Sequence, residues 1–99
     1  MLIEFESDVF RWSAREDSSW FFTSVPPELS EEIREIPRPY RGFGSVRVRA
    51  RIGGCEWATS IFPDSGSGSY VLPLKKTVRD AEAIGEGSVV VVRIEVLDA

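Results

Sequence analysis

The chain has 99 residues, of which 42% are hydrophobic and 28% charged, and its formal net charge is −4. This length suits one domain with a single core, and the composition is that of a globular chain rather than a disordered one. The sequence holds no histidine and one cysteine, which excludes Ser-His-Asp and Cys-His catalysis, histidine-based zinc sites and an internal disulfide.

Two further classes of protein lack their sequence signals. The start, MLIEFESD, is acidic and alternating, unlike a secretory signal. The longest aliphatic run, Val89 to Val92, is far shorter than the ~20 residues of a membrane span. The chain contains no phosphate-loop, dinucleotide-binding or EF-hand motif. We predict a cytoplasmic protein without a metal, a cofactor or membrane association.

The first elements are two strands. Residues 2–14 alternate, but the inward phase slips between Phe5 and Phe10, which predicts a bulge near Ser7. A polar turn leads to a second, aromatic strand over residues 20–25. The two strands are therefore expected to form a hairpin.

A helix is predicted next. Pro26 ends the second strand, and Pro27 suits the first helical position because it needs no N–H partner there. The residues that share its apolar face are Leu29, Ile33 and Ile36. A loop over residues 37–44 follows.

The clearest alternation lies in SVRVRARI, residues 45–52. Its inward residues are Val46, Val48, Ala50 and Ile52, and its outward residues are Arg47, Arg49 and Arg51. Gly53 and Gly54 predict a two-residue turn to a partner strand over residues 55–62.

The remaining elements repeat the same order. A loop leads to a short strand over residues 69–74 and a helix over residues 75–84, in which Val78 and Ala81 face inward. The last strand, residues 88–96, has an inward row of Val90, Val92, Ile94 and Val96. We predict a mostly β fold, in which two ββαβ halves close one six-stranded barrel or pseudobarrel capped by two short helices.

Charge is uneven along the chain. Residues 1–33 carry two cations and eight acids, residues 34–79 nine cations and three acids, and residues 80–99 one cation and five acids. An anionic partner is therefore expected to bind the middle of the chain.

Three cations begin the second helix, where acids are normally favoured. Lys75 and Arg79 are four residues apart and share a helix face, which predicts a site for phosphate, sulfate or carboxylate. The predicted ligand-binding residues are Lys75, Lys76, Arg79 and Ser60. The alternative is that the cationic stems cover the barrel mouth while their charged ends pair with acids such as Glu56 or Glu95.

The arginine strand is a second candidate surface. A nucleic-acid site would use Arg47, Arg49 and Arg51, joined by Arg38 and Arg41 from the preceding loop. The alternative is a solvated or salt-bridged face, and the negative net charge favours that interpretation.

Aromatic residues at strand spacing predict core more than a ligand pocket. Those concerned are Trp12, Trp20, Trp57 and Phe62. Ser60 with Lys75 could form a Ser-Lys pair, but the sequence has no oxyanion motif and no orienting histidine. Cys55, beside the glycine turn, is predicted to be a buried small apolar residue.

Two segments, GSVRVRARIGGCEWATSIFP and SYVLPLKKTVRDAEAIGEGSVVVV, resemble the family known as domain of unknown function 1905. The matching positions are Gly44, Val46, Val48, Gly54, Trp57, Thr59, Ser60, Pro63, Gly66, Tyr70, Leu72, Leu74, Lys75, Arg79, Ala81, Gly87 and Val89. Ser88 departs from the family pattern, which usually has Asp there. The resemblance implies a double-split β-barrel, similar to swapped-hairpin antitoxins and transition-state regulators, and it implies no established activity.

These patterns favour a non-enzymatic, monomeric binding or interaction module that presents a basic surface to a small anion or an acidic protein. One alternative is a regulator that binds nucleic acid through the arginine strand. A weaker alternative is an enzyme that uses Lys75. The outward residues Val89 and Val91 leave dimerisation open.

Overall fold

A computed structural model describes residues 1–11, 20–36, 44–64 and 66–97. Within these ranges the chain forms six strands and two helices in the predicted order. They are β1 (Leu2–Arg11), β2 (Phe21–Ser24), α1 (Pro27–Arg34), β3 (Val46–Ile52), β4 (Cys55–Pro63), β5 (Tyr70–Pro73), α2 (Lys76–Ala81) and β6 (Val89–Val96).

The strands that the structure describes close into one antiparallel barrel, in the order β1, β2, β5, β4, β3, β6 and back to β1. The predicted mostly β fold, a six-stranded barrel with two short helices, is confirmed at this level. Where neighbouring strands stay paired, closure leaves no exposed sheet edge to which a ligand could add as a strand.

β3 has the burial pattern predicted for it. Its aliphatic residues are buried and its arginines are exposed in strict alternation. β4 pairs with it on one side and β6 on the other, so β3 is central in its wall of the barrel. Ile52 pairs directly with Cys55, which confirms the two-residue turn at Gly53 and Gly54.

β1 differs from the prediction in its inward phase. Ile3, Phe5 and Val9 are buried, whereas Phe10 is 39% exposed. The strand therefore keeps one alternation, and the predicted bulge near Ser7 with an inward Phe10 is wrong. The inward position of Phe10 was wrongly predicted because Val9 and Phe10 are adjacent apolar residues, and alternation alone does not indicate which of the two faces the core.

β1 and β4 each change partner along their length. Residues 2–8 of β1 pair with β6, and residues 9–11 pair with β2. Residues 55–61 of β4 pair with β3, and its last two residues, Phe62 and Pro63, pair with β5. On the N-terminal side of these two residues, β4 and β5 separate, and the wall of the barrel opens there.

α1 begins at Pro27, as predicted. The residues predicted for its apolar face all contact the core: Leu29, Ile33 and Ile36. Ser30 is buried too, and its hydroxyl donates to the Val25 carbonyl at 3.1 Å. The same oxygen accepts the N–H of Tyr70 at 3.1 Å. The second of these bonds fastens α1 to β5.

α2 is shorter than the predicted range of 75–84, since it has six residues. Val78 is buried as predicted, but Ala81 is exposed, so its predicted inward position is wrong. Ala83 follows with a left-handed φ of 53°, which among the described non-glycine residues is the one positive value. The turn at Ala83 ends the helix early.

The barrel interior contains the core. The inward row of β6, predicted from its alternation, is buried: Val90, Val92, Ile94 and Val96. Tyr70 is the largest of the fully buried side chains in the described ranges, with 1% of its surface exposed. No helix in these ranges has the length and apolar character needed to span a membrane.

Candidate functional site

A cleft of about 360 Å³ opens in the wall where β4 and β5 separate. Its lining comes from β4, from the start of β2, and from the junction of β5 with α2: Trp20, Phe21, Trp57, Ala58, Thr59, Pro73, Leu74, Lys75, Lys76 and Arg79. We call it the Lys75 cleft. Its volume lies in the range of small-molecule sites, ~300–1,000 Å³. The structure thus brings together three of the four residues predicted to bind an anion.

Lys75 is the N-cap residue of α2, and its exposed side chain lines the cleft. Among the described residues, no acidic side chain forms a salt bridge with Lys75. The expected partner Glu95 instead pairs with Arg49 at 3.3 Å. The ammonium group of Lys75 therefore carries a charge that no described acid offsets by direct contact.

Arg79 forms a fixed wall of the cleft. Its guanidinium carbon lies 4.2 Å from the ring centroid of Phe21. Its Nε donates a hydrogen bond to the Leu74 carbonyl at 3.1 Å. A guanidinium held by a ring face and a carbonyl keeps its charge and loses much of its freedom, so Arg79 adds positive potential at a fixed place.

Lys76 is engaged within its own helix. Its Nζ donates to the carboxylate of Asp80 at 2.7 Å, in an exposed pair four residues apart. This hydrogen bond lowers the pKa of Asp80 below its ordinary 3.8; desolvation opposes the shift, and the charges of Lys76 and Arg79 add to it. Lys76 and Lys75 are thus adjacent lysines in different electrostatic settings.

The depressed pKa of Asp80 predicts a titration result. Because the folded-state pKa lies below 3.8, the pair contributes its stabilisation above that pH and loses it as the pH falls through the folded value. In a carboxyl ¹³C NMR titration, Lys76→Ala should raise the midpoint of Asp80 toward 3.8. Lys75→Ala is the matched control and should leave the midpoint unchanged. Equal shifts in both variants would contradict the assignment of the pair.

Ser60 is not brought into the cleft. Along β4, Trp57 and Ile61 are buried, so Thr59 shares their inward phase and Ser60 faces the other side. Accordingly, Thr59 lines the cleft and Ser60 does not. Ser60 was predicted to lie with Lys75, Lys76 and Arg79, but it is not among the residues that line the cleft.

The arginine row of β3 lies exposed on the outer face, as predicted. Two salt bridges cross this face: Arg49 with Glu95, and Arg93 of β6 with Glu4 of β1, each at 3.3 Å. The strand register aligns these charges across three neighbouring strands. The face is therefore mixed in charge, with basic and acidic side chains side by side.

The remaining arginines of the predicted nucleic-acid site are Arg47, Arg51, Arg38 and Arg41. Arg51 donates through Nε to the Gly53 carbonyl at 3.4 Å, and Arg47 also has an interaction partner. Arg38 and Arg41 lie outside the described residues. Since phosphate binding needs cations that are available to the nucleic-acid backbone, the described face does not strengthen the nucleic-acid alternative.

The aromatic residues divide between core and surface. Trp57 is 8% exposed and belongs to the core, as predicted, although it also lines the cleft. Trp20 at 58% and Phe62 at 39% are exposed, so the core prediction is wrong for both. Trp12 lies outside the described residues. Phe21 was missed as a cleft residue, and the signal for it was the run Trp-Phe-Phe, which cannot face one side of a strand throughout.

Cys55 is half-buried rather than buried. Its Sγ lies 3.8 Å from a carboxylate oxygen of Glu82, and the same oxygen accepts the N–H of Gly54 at 3.3 Å. These contacts connect the glycine turn to the end of α2. In the ranges that the structure describes, no three or more acidic or cysteine side chains are grouped so that they could hold a metal ion.

Fold and cleft together define a class of protein: a small antiparallel β-barrel whose wall opens into a basic cleft lined with aromatic rings. The chain belongs to the family described as Domain of unknown function (DUF1905), whose model matches residues 5–94. The resemblance seen in the sequence is thereby confirmed. No curated protein matches the chain. The function therefore has to be argued from the cleft itself.

Proposed function

We propose that this domain is a non-enzymatic binding module that accepts a small anion in the Lys75 cleft. The observation that carries the proposal is the difference between two adjacent lysines. Lys76 is paired with Asp80, whereas Lys75 lines the cleft without a salt bridge to any described acid. An anion bound at Lys75 would supply the missing counter-charge.

The residues around Lys75 strengthen the attraction between its ammonium group and a bound anion. Apolar side chains such as Trp57 and Leu74 line the same cleft and displace water from one side of it. A charge pair near a protein surface interacts several times more strongly than the same pair in bulk water, because the effective dielectric constant is lower. The fixed guanidinium of Arg79 adds to the positive potential.

The two halves of the barrel supply a second argument. We infer that they are related by a pseudo-twofold axis, as in a double-split barrel. The cyclic strand order maps onto itself when β1, β2 and β3 exchange with β4, β5 and β6. The N–H of Val25 donates to the carbonyl of Tyr70 at 2.8 Å. In the other half, the N–H of Leu74 donates to the carbonyl of Phe21 at 2.9 Å.

This correspondence aligns the two helix starts. Pro26 and Lys75 are the two N-cap residues, so Ser30 in the first half corresponds to Arg79 in the second. Each donates a side-chain hydrogen bond to the carbonyl of the residue before its N-cap, at 3.1 Å. The second half thus carries cations at places where the first half has proline and serine.

In the described residues, side chains cross the place in the first half that corresponds to the cleft. β1 and β2 also separate, but the hydroxyl of Ser7 bridges to the carbonyl of Ser24 at 2.9 Å. Tyr70 packs there with 1% exposure, and Arg34 of α1 covers its ring at 5.6 Å. Among the described residues, the corresponding place in the first half is occupied by Tyr70 and Arg34, whereas the second half has the Lys75 cleft there, and this difference supports a role for the cleft beyond folding.

A binding role fits the cleft better than catalysis. Ser60 is not among the residues that line the cleft, so the Ser-Lys pair that an enzyme would need is not assembled in its lining. The sequence has no histidine to act as a general base. Lys75 can bind an anion through its charge, without any further reactive group.

The test is a thermal-shift screen with sodium acetate, phosphate and sulfate at constant ionic strength. A ligand at a hundred times its dissociation constant adds ~2.7 kcal/mol to the free energy of unfolding. In a domain of this size, each kcal/mol raises the melting temperature by roughly 4–8 °C. We expect at least one anion to stabilise the parent protein and Lys76→Ala, and to leave Lys75→Ala unchanged.

Lys76→Ala is the matched control, since it removes the same charge from the neighbouring position. If the two variants lose the response equally, the anion is attracted by general charge and not by the cleft. If none of the anions shifts the parent protein, the proposal fails for these ligands. Lys75→Arg should retain the response, because it keeps the charge at the same place.

A further inference from the structure

We infer that the ligand of the Lys75 cleft is a planar aromatic carboxylate, with its carboxylate at Lys75 and its ring against Trp20. The inference rests on the proposed function, because it names the class of anion that the same cleft would bind. Three observations carry it: the volume of the cleft, the kind of side chains that line it, and the number of cations available.

The cleft is too large for an inorganic anion alone. Its volume of about 360 Å³ equals that of roughly a dozen water molecules at ~30 Å³ each. Phosphate or acetate bound at Lys75 would leave most of this space as water against Trp57 and Leu74. A ligand that fills the cleft therefore has an apolar body as well as a charged group.

The lining favours a flat body. Three aromatic residues, Trp20, Phe21 and Trp57, are among those that line the cleft. Trp20 is 58% exposed, which leaves a large apolar side chain in water at the rim of a cleft. A ligand ring that covers Trp20 would remove this surface from water. Aromatic contacts give about two- to tenfold tighter binding than burial of the same area alone.

The ring of Trp20 is held in place before any ligand binds. It stacks on Phe22 with the ring centroids 6.2 Å apart and an angle of 16° between the planes. Phe10 stacks on Phe22 in turn, at 5.9 Å. Such a stack limits the motion of Trp20, so a ligand loses less conformational entropy in ordering it. We call these three residues the outer aromatic stack.

The charges favour a monoanion. Lys76 is paired with Asp80, and Arg79 is fixed on Phe21 with its Nε already donating to Leu74. Lys75 remains as the ammonium group without a described acidic partner. One such group matches the single charge of a carboxylate better than the two charges of a phosphate monoester.

The experiment compares benzoate with cyclohexanecarboxylate by titration calorimetry at neutral pH. The two carboxylates have the same charge and the same number of carbon atoms, but one ring is flat and aromatic. We expect benzoate to bind about five- to tenfold more tightly to the parent protein. Trp20→Ala should abolish this preference, because both ligands lose the apolar contact with Trp20 and benzoate alone also loses the contact between aromatic rings.

Phe10→Ala is the control for Trp20→Ala. Phe10 belongs to the outer aromatic stack but does not line the cleft, so this variant should retain most of the preference for benzoate. Trp20 is exposed, so its replacement is expected to leave the fold intact, which circular dichroism and the melting temperature can verify. Trp20→Phe should keep the preference.

Two results would overturn the inference and leave the proposed function standing. One is equal affinity for benzoate and cyclohexanecarboxylate, with both lost in Lys75→Ala. The other is a Lys75-dependent affinity for phenyl phosphate at least tenfold above that for benzoate. If no carboxylate or phosphate binds, or if Lys75→Ala binds them as the parent does, the inference and the proposed function both fail.

Discussion

Replacing Tyr70 with alanine is expected to lower the free energy of unfolding by about 3–5 kcal/mol. Tyr70 is 1% exposed, its backbone N–H and carbonyl bond Ser30 and Val25, and its ring lies beneath Arg34. Removing the ring deletes a large buried apolar surface and leaves a cavity under α1, which the barrel can fill only partly. Denaturant unfolding measures the loss as a lower midpoint with an unchanged slope.

Phe62→Ala is the control for this substitution. Phe62 is also aromatic and pairs beside Tyr70 in the same two strands, but it is 39% exposed. Its replacement should cost less than half as much, because much of its ring is already in water. Equal losses in the two variants would show that the buried ring of Tyr70 contributes no more to the free energy of unfolding than the exposed ring of Phe62, which would contradict the prediction.

Local patterns predicted most of the fold. The strict alternation of Val46–Ile52 established both the strand and its inward face, and the glycine pair established the following turn. Pro27 marked the start of α1, because proline suits the first helical turn and little else in a regular element. These features depend on residues close in sequence, so the sequence alone was enough to find them.

Other parts of the fold depend on distant residues. Phe10 was predicted to face inward, but its ring is stacked on Phe22 outside the barrel. α2 was predicted to continue, but a left-handed Ala83 ends it. Alternation alone cannot choose between adjacent apolar residues, and helix periodicity alone cannot detect an alanine at a positive φ, which is uncommon for a residue other than glycine.

The candidate site likewise has contacts that follow from the local sequence and contacts that depend on distant residues. Lys76 and Asp80 pair across a spacing of four residues on one helix, and this spacing is visible in the sequence. The contact of Arg79 with Phe21 joins residues from different halves of the chain, and the sequence gives no sign of it. The cleft itself arises from the separation of β4 and β5, a property of the closed barrel that no single segment encodes.

Replacing Gly53 with alanine is expected to cost about 2–3 kcal/mol, for two separable reasons. Gly53 has a φ of +58°, a left-handed conformation that costs any residue with a Cβ about 1–2 kcal/mol. A Cβ there would also lie 1.9 Å from a carboxylate oxygen of Glu82. The carboxylate would have to move and release the N–H of Gly54, which it accepts at 3.3 Å.

A double-mutant cycle with Glu82→Ala separates the two causes. In the Glu82→Ala background the clash is gone and the backbone strain remains, so Gly53→Ala should then cost only about 1–2 kcal/mol.

Gly54→Ala is the matched control within the turn. Gly54 does not share the positive φ of Gly53, and a Cβ added to it would lie 3.8 Å from Glu82, an ordinary contact. Its replacement should cost well under 1 kcal/mol, as is usual for surface positions. If Gly53→Ala costs the same in both backgrounds, the Glu82 carboxylate does not restrict position 53, and the predicted clash is wrong.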